Sequence, residues 1–232
     1  MHSSPSIIVI SPHLDDAALD LCDHIFKWKA QGSIVKIITV FTSFHGMIST
    51  EAKKNTGIQS SSVKAFEVRR RSEDKKAMRL LGVRSKHLGF VDGGFRSYNR
   101  TLAYHNFREL FSGRVSPLDA KLFEKLKSKI MPFALRERII IPLGVGRHAD
   151  HLLVRRAAEA VIPRKKLEYY IDYPYALSFS KWTISQAIMA ARMKKSVLPF
   201  QPRKEKILSM YASQMPILFP AKMRYPEIVL RF

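Results

Sequence analysis

Apolar residues occur along the chain in short runs that alternate with segments of helical periodicity. The first run, at residues 6–10, is rich in isoleucine and valine and predicts a buried parallel strand. Residues 17–30 predict a helix, because apolar positions recur there every three or four residues and Gly32 follows as a stop signal. The apolar run at 33–42 predicts a second buried strand. This strand–helix–strand unit predicts a right-handed parallel crossover.

The same alternation continues along the sequence and predicts an α/β fold with a mostly parallel sheet. Further helices are predicted at 64–81, 118–131, 151–161 and 204–215, and further strands at 86–90, 138–144 and 167–172. Residues 181–190 fit either a weak helix or a strand. The polar stretch 43–62 predicts a loop that could cover a site, and 93–116 predicts an irregular segment with a helical turn near 102–110. With no repeat and no clear linker, residues 1–232 are expected to form a single domain.

Composition indicates the class of protein. Hydrophobic residues make up 46% and charged residues 25% of the chain, which is typical of a globular protein. No apolar run approaches the ~20 residues that span a bilayer, and the N-terminus lacks the features of a signal peptide, so a cytoplasmic location is expected. The single cysteine, Cys22, excludes an internal disulfide, and its place on an apolar helix face predicts a core position.

The net charge is strongly positive. Lys and Arg number 40 against 19 Asp and Glu, which gives +21 and favours anionic partners such as nucleic acid, phosphorylated small molecules or an acidic membrane face. The basic residues are spread widely, with local clusters such as "RRAAEAVIPRKK" and "QPRKEK". A nucleic-acid-binding protein more often has one concentrated basic stripe with interleaved aromatic residues. Most of these charges are therefore expected on solvated helix faces, and nucleic acid is not the expected partner.

Side chains that could form a site are concentrated in two loops that follow predicted strands. They are His13, Asp15 and Asp16 in "SPHLDDA", and His148, Asp150 and His151 in "GVGRHADH". Taken singly, each loop could be an ordinary helix start whose carboxylates complement the helix dipole. Ligands of open parallel sheets, however, bind outside the carboxyl ends of the strands, where both loops are predicted to lie. Their joint occurrence favours a functional site.

Two imidazoles and one carboxylate, from His13, Asp16 and His151, form a set that suits a catalytic Zn²⁺ with one position left for water. Such a set also accepts Fe²⁺ or Co²⁺. Zinc lowers the pKa of its bound water to ~7, and Asp15, which cannot easily point the same way as Asp16, is free to act as the general base.

The remaining two residues of the second loop have candidate roles as well. His148 lies three residues before His151, so both can face one site from the start of a helix. As an imidazolium, His148 could stabilise a developing oxyanion. Asp150 is grouped with the catalytic residues as a carboxylate that orients a histidine.

The two motifs also resemble a known family, the PIG-L/LmbE-like N-acetylglucosaminyl deacetylases. Their signature is a strand followed by a His-x-Asp-Asp element and, later, a His-x-Asp-His element, which "PHLDDA" and "HADH" match. "RRRSEDKKAMRLLGV" resembles the family's Arg-Arg-x-Glu helix, and "LGFVDGG", "DYPYAL" and "KILSMYASQ" resemble later landmarks. The similarity runs from Ile7 to Gln214.

The resemblance implies a Rossmann-like sheet with helices on both faces, and a zinc hydrolase that removes acetyl from an N-acetylated amino sugar. Carried over by position, it implies that His13, Asp16 and His151 are the metal ligands. It also implies that Asp15 is the base and that His148 is the electrophilic or acid partner. It further implies that Arg70 and Asp92 contact sugar hydroxyls, although the run "RRR" also allows Arg69 or Arg71. Ala17 stands where many members have Glu, so fine substrate specificity is not carried over.

Three functions stay open at the level of sequence. The first is deacetylation of an N-acetyl sugar, which the positive charge suggests could carry phosphate. The second keeps the zinc amidase chemistry but changes the substrate to an antibiotic precursor or a thiol conjugate. The third is a basic nucleic-acid-binding protein whose histidines are structural. Tyr173 and Tyr175 could line a sugar pocket or form a packed aromatic pair, and the oligomeric state, including a homo-oligomer, is left open.

Overall fold

A seven-stranded, mostly parallel sheet forms the centre of the computed structural model, which describes residues 5–50, 52–53, 58, 62–136, 138–178, 193–218 and 224–231. The strands of this sheet are β1 (Ser6–Ser11), β2 (Ile34–Ser43), β3 (Arg84–Val91), β6 (Arg138–Pro142), β7 (Leu167–Tyr170), β8 (Lys194–Leu198) and β9 (Glu227–Arg231), in the order β3-β2-β1-β6-β7-β9-β8. A separate short hairpin pairs β4 (Ser97–Tyr98) with β5 (Thr101–Leu102). The α-helices are α1 (Asp16–Ala30), α2 (Val63–Leu81), α3 (Phe107–Leu110), α4 (Ala120–Ile130), α5 (Ala149–Val161), α6 (Pro202–Leu208) and α7 (Met215–Leu218). The α/β class predicted from the sequence is confirmed.

β1 lies in the middle of the sheet, where alternating side chains build two cores. It pairs in parallel with β2 on one side and with β6 on the other. Ile8 and Ile10 face the core beneath α4 and α5, whereas Ile7 and Val9 face α1, α2 and α6. Helices therefore cover both faces of the sheet, as predicted. A strand that is buried on both faces favours a continuous apolar run, which residues 7–10 provide.

The C-terminal part of the chain departs from the prediction. β9 pairs with β7 in antiparallel orientation, β8 pairs with β9 in the same way, and both strands lie outside the predicted ones. The prediction of one helix over 204–215 is wrong, because α6 ends at Leu208 and α7 begins only at Met215. Tertiary contacts override the helical pattern here, since the amide and the hydroxyl of Ser213 both donate to Glu73 of α2.

The other predicted elements are present with small shifts at their ends. α2 ends at Gly82, whose φ of 64° is the left-handed conformation that glycine favours after a helix. β6 stops at Pro142, before the predicted end, because the amides of Gly144 and Val145 donate to Asp172. The segment 181–190 lies outside the described residues. Among the described residues, every helix is too short or too polar to cross a bilayer.

Candidate active site

The first loop follows β1 at the carboxyl edge of the sheet. The amide of His13 donates to Asp16 Oδ2 over 2.7 Å. Asp15 is the N-cap of α1 and Asp16 is its first residue, so both carboxylates lie near the positive end of the helix dipole. Both are buried, and they diverge: Asp15 approaches Arg70, whereas Asp16 approaches His13 and His151. The two adjacent aspartates therefore have different surroundings.

The second loop follows β6 and leads into α5. His148 is the N-cap of this helix, and its Nδ1 accepts the amide N–H of Asp150. A neutral His148 ring therefore carries its proton on Nε2. His151 lies in the first turn of α5 and is buried. Because β6 is the direct neighbour of β1 in the sheet, the two loops meet.

Three atoms that can bind a metal converge where the loops meet. His13 Nδ1 lies 3.4 Å from Asp16 Oδ2 and 3.3 Å from His151 Nε2, and His151 Nε2 lies 3.6 Å from Asp16 Oδ2. A tetrahedral zinc ion with bonds of ~2.0–2.1 Å keeps its ligand atoms about 3.3–3.4 Å apart. The observed triangle has this spacing, so the three residues fit a metal ion.

Carboxylates behind the two histidines determine which ring nitrogens face this point. Asp150 Oδ2 lies 3.2 Å from His13 Nε2, and Asp172 Oδ1 lies 2.5 Å from His151 Nδ1. Since a carboxylate accepts hydrogen bonds, these ring nitrogens carry the protons, and in neutral rings the opposite nitrogens present lone pairs. Two lone pairs and a carboxylate oxygen that face one another at this distance repel unless a cation lies between them.

The electrostatics of the cluster indicate the same requirement for positive charge. Burial lowers the pKa of His13, but the carboxylates of Asp150 and Asp16 outweigh it and hold this pKa well above its ordinary value. Burial likewise opposes the charged form of His151, but Asp16 and Asp172 raise its pKa overall. Burial alone would raise the pKa of Asp16, yet the charges of His151 and His13 lower it strongly. A metal ion would take the place of these protons.

His148 reaches the same cluster from the start of α5. One of its ring nitrogens lies within 4.8 Å of the ligand atoms of His13 and His151. Burial, followed by the charge of His13, holds the pKa of His148 well below its ordinary value. The neutral ring is therefore favoured over the imidazolium expected from the sequence, and its Nε2–H is the available donor. Phe111 packs edge-on against the ring, with the ring centroids 4.7 Å apart.

Arg70 is the arginine of the "RRR" run that faces the site. It is buried, and its Nη2 donates to Asp15 Oδ2 over 3.2 Å. Arg69 is exposed, and Arg71 donates to the carbonyl oxygen of Thr42. Burial raises the pKa of Asp15, and the positive charge of Arg70 limits the rise.

Asp92 and Asp150 both approach His13 Nε2, the ring nitrogen that faces away from the triangle. Asp92 Oδ2 lies 3.6 Å from this nitrogen, and its Oδ1 accepts the amide N–H of Gly94. Asp150 is fully buried behind His13, and its Oδ2 also accepts the amide N–H of Gly93. The ligand atoms of His13, Asp92 and Asp150 form a second group that lies within 4.8 Å. Asp92 also borders the cavity described next, whereas Asp150 does not.

A cavity of about 350 Å³ opens beside the metal-binding triangle. Its polar wall contains His13, Asp15, Asp16, Arg70, Asp92, His148 and Gln214. The apolar wall includes Phe44, Phe66, Phe95, Phe107, Phe111, Ile217 and Leu218. Tyr173 and Tyr175 line it as well, and Tyr173 also stacks on Tyr225 with ring centroids 4.0 Å apart. Such a mixed wall suits a sugar ring, which has an apolar face and a polar edge.

Two residues that support the site are missing from the sequence-based prediction. Asp172 follows β7, so its signal is a carboxylate at the end of a third parallel strand. Arg96 is buried, binds Asp119 through two hydrogen bonds and places Nη2 2.8 Å from Asp150 Oδ1. It lies in an irregular segment with no periodicity, and nothing in the sequence marks it.

Comparison with known families tests the resemblance that the two histidine motifs suggest. The model of the PIG-L family, described as GlcNAc-PI de-N-acetylase, matches residues 8–162, which include both motifs and more than half of the chain. The chain belongs to the PIG-L family. The resemblance based on the sequence motifs is thereby confirmed. The matched region of this PIG-L family member contains His13, Asp16 and His151, the three residues of the metal-binding triangle.

Individual relatives of this PIG-L family member are deacetylases. The chain is 27% identical over 196 residues to 2′-N-acetylparomamine deacetylase of Streptomyces fradiae, and the match covers 83% of this chain and 64% of that relative's length. The fold is similar to that of teicoplanin deacetylase Orf2 in its zinc-inhibited form, with a TM-score of 0.74, 22% identity and 97% of each chain covered. It is also similar to N,N′-diacetylchitobiose deacetylase from Pyrococcus horikoshii, with a TM-score of 0.52, 14% identity, and 98% of this chain and 83% of that chain covered. These similarities confirm the LmbE-like fold.

Proposed function

We propose that this protein is a metal-dependent N-deacetylase that hydrolyses the acetamide of an N-acetylated amino sugar or sugar conjugate. The observation that carries the proposal is the triangle of His13 Nδ1, Asp16 Oδ2 and His151 Nε2, with sides of 3.3, 3.4 and 3.6 Å. A buried carboxylate, Asp15, lies next to this triangle without being part of it. A nucleic-acid-binding role gives no reason for three lone-pair atoms to converge.

His13, Asp16 and His151 would hold the metal, while Asp150 and Asp172 keep the two rings in the orientation that the metal needs. We propose Zn²⁺ as the ion, with Fe²⁺ and Co²⁺ as alternatives, because two imidazoles and a carboxylate accept all three. When bound, such an ion supplies Lewis acidity and makes a water at the site more acidic.

Asp15 is proposed to move the proton in the reaction. It lines the cavity, and burial raises its pKa towards the range in which a carboxylate can both accept and return a proton. As water adds to the acetamide carbon, Asp15 takes a proton from the water and gives it to the sugar nitrogen while the C–N bond breaks. The products are acetic acid, which ionises to acetate, and the amine, which takes up the released proton at neutral pH. His148, as a neutral ring, offers its Nε2–H to the oxygen that gains negative charge.

The rest of the cavity is proposed to bind the sugar. Arg70 and Asp92 border it and would contact hydroxyl groups, while Phe107 and Phe111 would pack against the apolar face of the ring. The +21 charge makes a phosphate-bearing sugar a candidate within this class. We further propose that the whole chain is one domain, which is supported by a single sheet that contains both β1 and β9.

A second candidate substrate is an acetylated antibiotic precursor. It is favoured by the relatives, which are named as deacetylases of 2′-N-acetylparomamine and teicoplanin. The aromatic part of the cavity wall could also pack against the larger apolar groups of such molecules. The proposed reaction and the residues that carry it are the same for both substrates.

Acetate release from a panel of N-acetylated sugars and antibiotic precursors tests the proposal. The protein is stripped with a chelator and reloaded with Zn²⁺, Fe²⁺ or Co²⁺ in turn. Acetate release should stop on stripping and return with at least one ion. Asp74→Asn is a matched control, since Asp74 is a buried carboxylate that also binds a histidine, His87, and neither residue borders the cavity. A protein that takes up no divalent ion and binds nucleic acid tightly at physiological salt would contradict the proposal.

A further inference from the structure

The amino edge of the sheet, opposite the cavity, carries a surface that deacetylation does not use. Two turns lie there, Met131–Leu135 before β6 and Arg164–Lys166 before β7. Lys166 Nζ donates to the carbonyl oxygen of Ala134, so the two turns are in contact. We call residues 129–136 and 164–166, together with the neighbouring ends of β8 and β9, the basic edge.

The ends of β8 and β9 extend this surface. Arg231, the last residue of β9, pairs with Lys194 at the start of β8 and with Glu168 near the start of β7. Lys194 and Lys195 are exposed, as is Arg231. The register of the antiparallel strands therefore adds three cations beside the turn before β7.

An apolar tip projects from the basic edge. Leu135 is 88% exposed and Met131 is 55% exposed, and both belong to the same short 3-10 turn at the end of α4. Single exposed apolar residues are common, so these two side chains point to an interaction surface only in combination with the charges beside them. Phe133, which is the aromatic residue of this turn, instead packs against the core.

Cations lie in the same two turns and at the neighbouring strand ends. The exposed or half-exposed ones are Lys129, Arg136, Arg164, Lys165, Lys166, Lys194, Lys195 and Arg231. The nearby described carboxylates are engaged, because Glu168 pairs with Arg138, and Glu159 pairs with Arg155. Glu137 lies outside the described residues. The basic edge therefore has a positive potential that is not cancelled by these carboxylates.

We propose that the basic edge docks on an anionic lipid bilayer, with Leu135 and Met131 inserted at the level of the headgroups and the cations placed over the lipid phosphates. The aliphatic tip favours lipid over nucleic acid, because single strands bind to stacking aromatic rings, which this tip does not present. Docking through the amino edge turns the carboxyl edge, and with it the cavity, away from the bilayer. The bound protein could then still take its substrate from water.

Co-sedimentation of the full chain with vesicles at physiological ionic strength tests this proposal. Binding is expected to phosphatidylcholine vesicles that contain phosphatidylglycerol, and not to phosphatidylcholine alone. The tip variant Met131→Ser/Leu135→Ser should bind at least about tenfold more weakly, because it loses two inserted side chains. The edge variant Lys165→Glu/Lys195→Glu should also lose at least about tenfold, since each cation near an acidic bilayer contributes roughly fivefold.

The matched control is Lys64→Glu/Lys76→Glu, which makes the same change in net charge on exposed positions of α2, on the other face of the sheet. It should bind nearly as well as the wild type, and thermal melting shows that all variants are folded. A tip variant that binds vesicles like the wild type overturns the proposal, because the apolar tip then plays no part in binding. A control variant that loses as much vesicle affinity as the edge variant also overturns it, because the diffuse positive charge then explains the binding. Binding to RNA but not to vesicles overturns it as well.

Discussion

His13 Nδ1 and His151 Nε2 lie 3.3 Å apart, although 138 positions separate the two residues in the sequence. They meet because β1 and β6 are parallel neighbours whose carboxyl ends lie at the same edge of the sheet. Behind each ring, a carboxylate holds the opposite nitrogen as a donor, Asp150 for His13 and Asp172 for His151. The function proposed for the protein depends on this arrangement of rings.

Asp172→Asn is expected to weaken metal binding by roughly 10- to 100-fold, because an amide is a weaker acceptor and no longer fixes the His151 ring. Competition with a chromophoric chelator measures the affinity. Asp74→Asn removes a carboxylate from His87, a histidine that does not border the cavity, and should leave the affinity unchanged. Equal metal affinity in Asp172→Asn and the wild type would show that Asp172 does not orient a ligand.

Arg70→Gln is expected to shift the acidic limb of the kcat/KM profile to higher pH. Arg70 lies 3.2 Å from Asp15 and limits the rise in the pKa of Asp15 that burial causes. Without this positive charge, the pKa of Asp15 rises further, so the ionised base forms only at higher pH. Arg69→Gln changes the exposed neighbour and should keep the wild-type limb. If the Arg70→Gln limb does not move, Asp15 is not the group that limits activity at low pH.

Glu227→Gln is expected to lower the free energy of unfolding by about 3–5 kcal/mol at neutral pH. Glu227 and Lys204 are both fully buried, with Lys204 Nζ 3.0 Å from Glu227 Oε1, so the variant leaves Lys204 buried without a counter-ion. Glu227 also accepts the amide N–H groups of Asp23 and His24, which joins β9 to α1. Urea unfolding measures the loss. Glu205→Gln, an exposed glutamate of α6, is the control and should have little effect.

The effect of Glu227→Gln should depend on pH in a defined direction. Burial alone raises the pKa of Glu227, but the hydrogen bond from His24 and the charge of Lys204 outweigh it, so the pKa is lowered from its usual 4.5. A carboxylate with a lowered folded pKa stabilises fully above its unfolded pKa, and this stability is lost as the pH falls through the folded pKa. The difference between wild type and variant should therefore shrink below about pH 4.5. A difference of constant size throughout the acid range would contradict this account.

The sequence predicts best what depends on local pattern. β1, β2 and β6 are rich in apolar residues because they are buried in the middle of the sheet, and they could be recognised for that reason. β8 is an edge strand that begins with two exposed lysines, so it carries no such run. The break between α6 and α7 depends on Ser213 bonding to Glu73, a contact across 140 positions that no local pattern reveals.

Within the site too, features that follow from local sequence pattern could be predicted, whereas features that depend on tertiary contacts could not. His13, Asp16 and His151 could be proposed as ligands because they follow predicted strands that end at one edge of the sheet. Asp172 likewise lies at the end of a predicted strand, but its role, like that of Arg96, depends on which side chains lie behind the histidine rings, so the sequence does not reveal it. That arrangement is a property of the folded chain.

The different roles of the adjacent aspartates are the central claim, and metal content measured together with acetate release for Asp15→Asn and Asp16→Asn tests it most directly. Asp15→Asn should keep its metal and lose roughly 10²- to 10⁴-fold in acetate release, because a base is removed while the triangle is kept. Asp16→Asn should lose the metal and, with it, the activity. If Asp15→Asn loses the metal while Asp16→Asn keeps it, the assignment of ligand and base is contradicted.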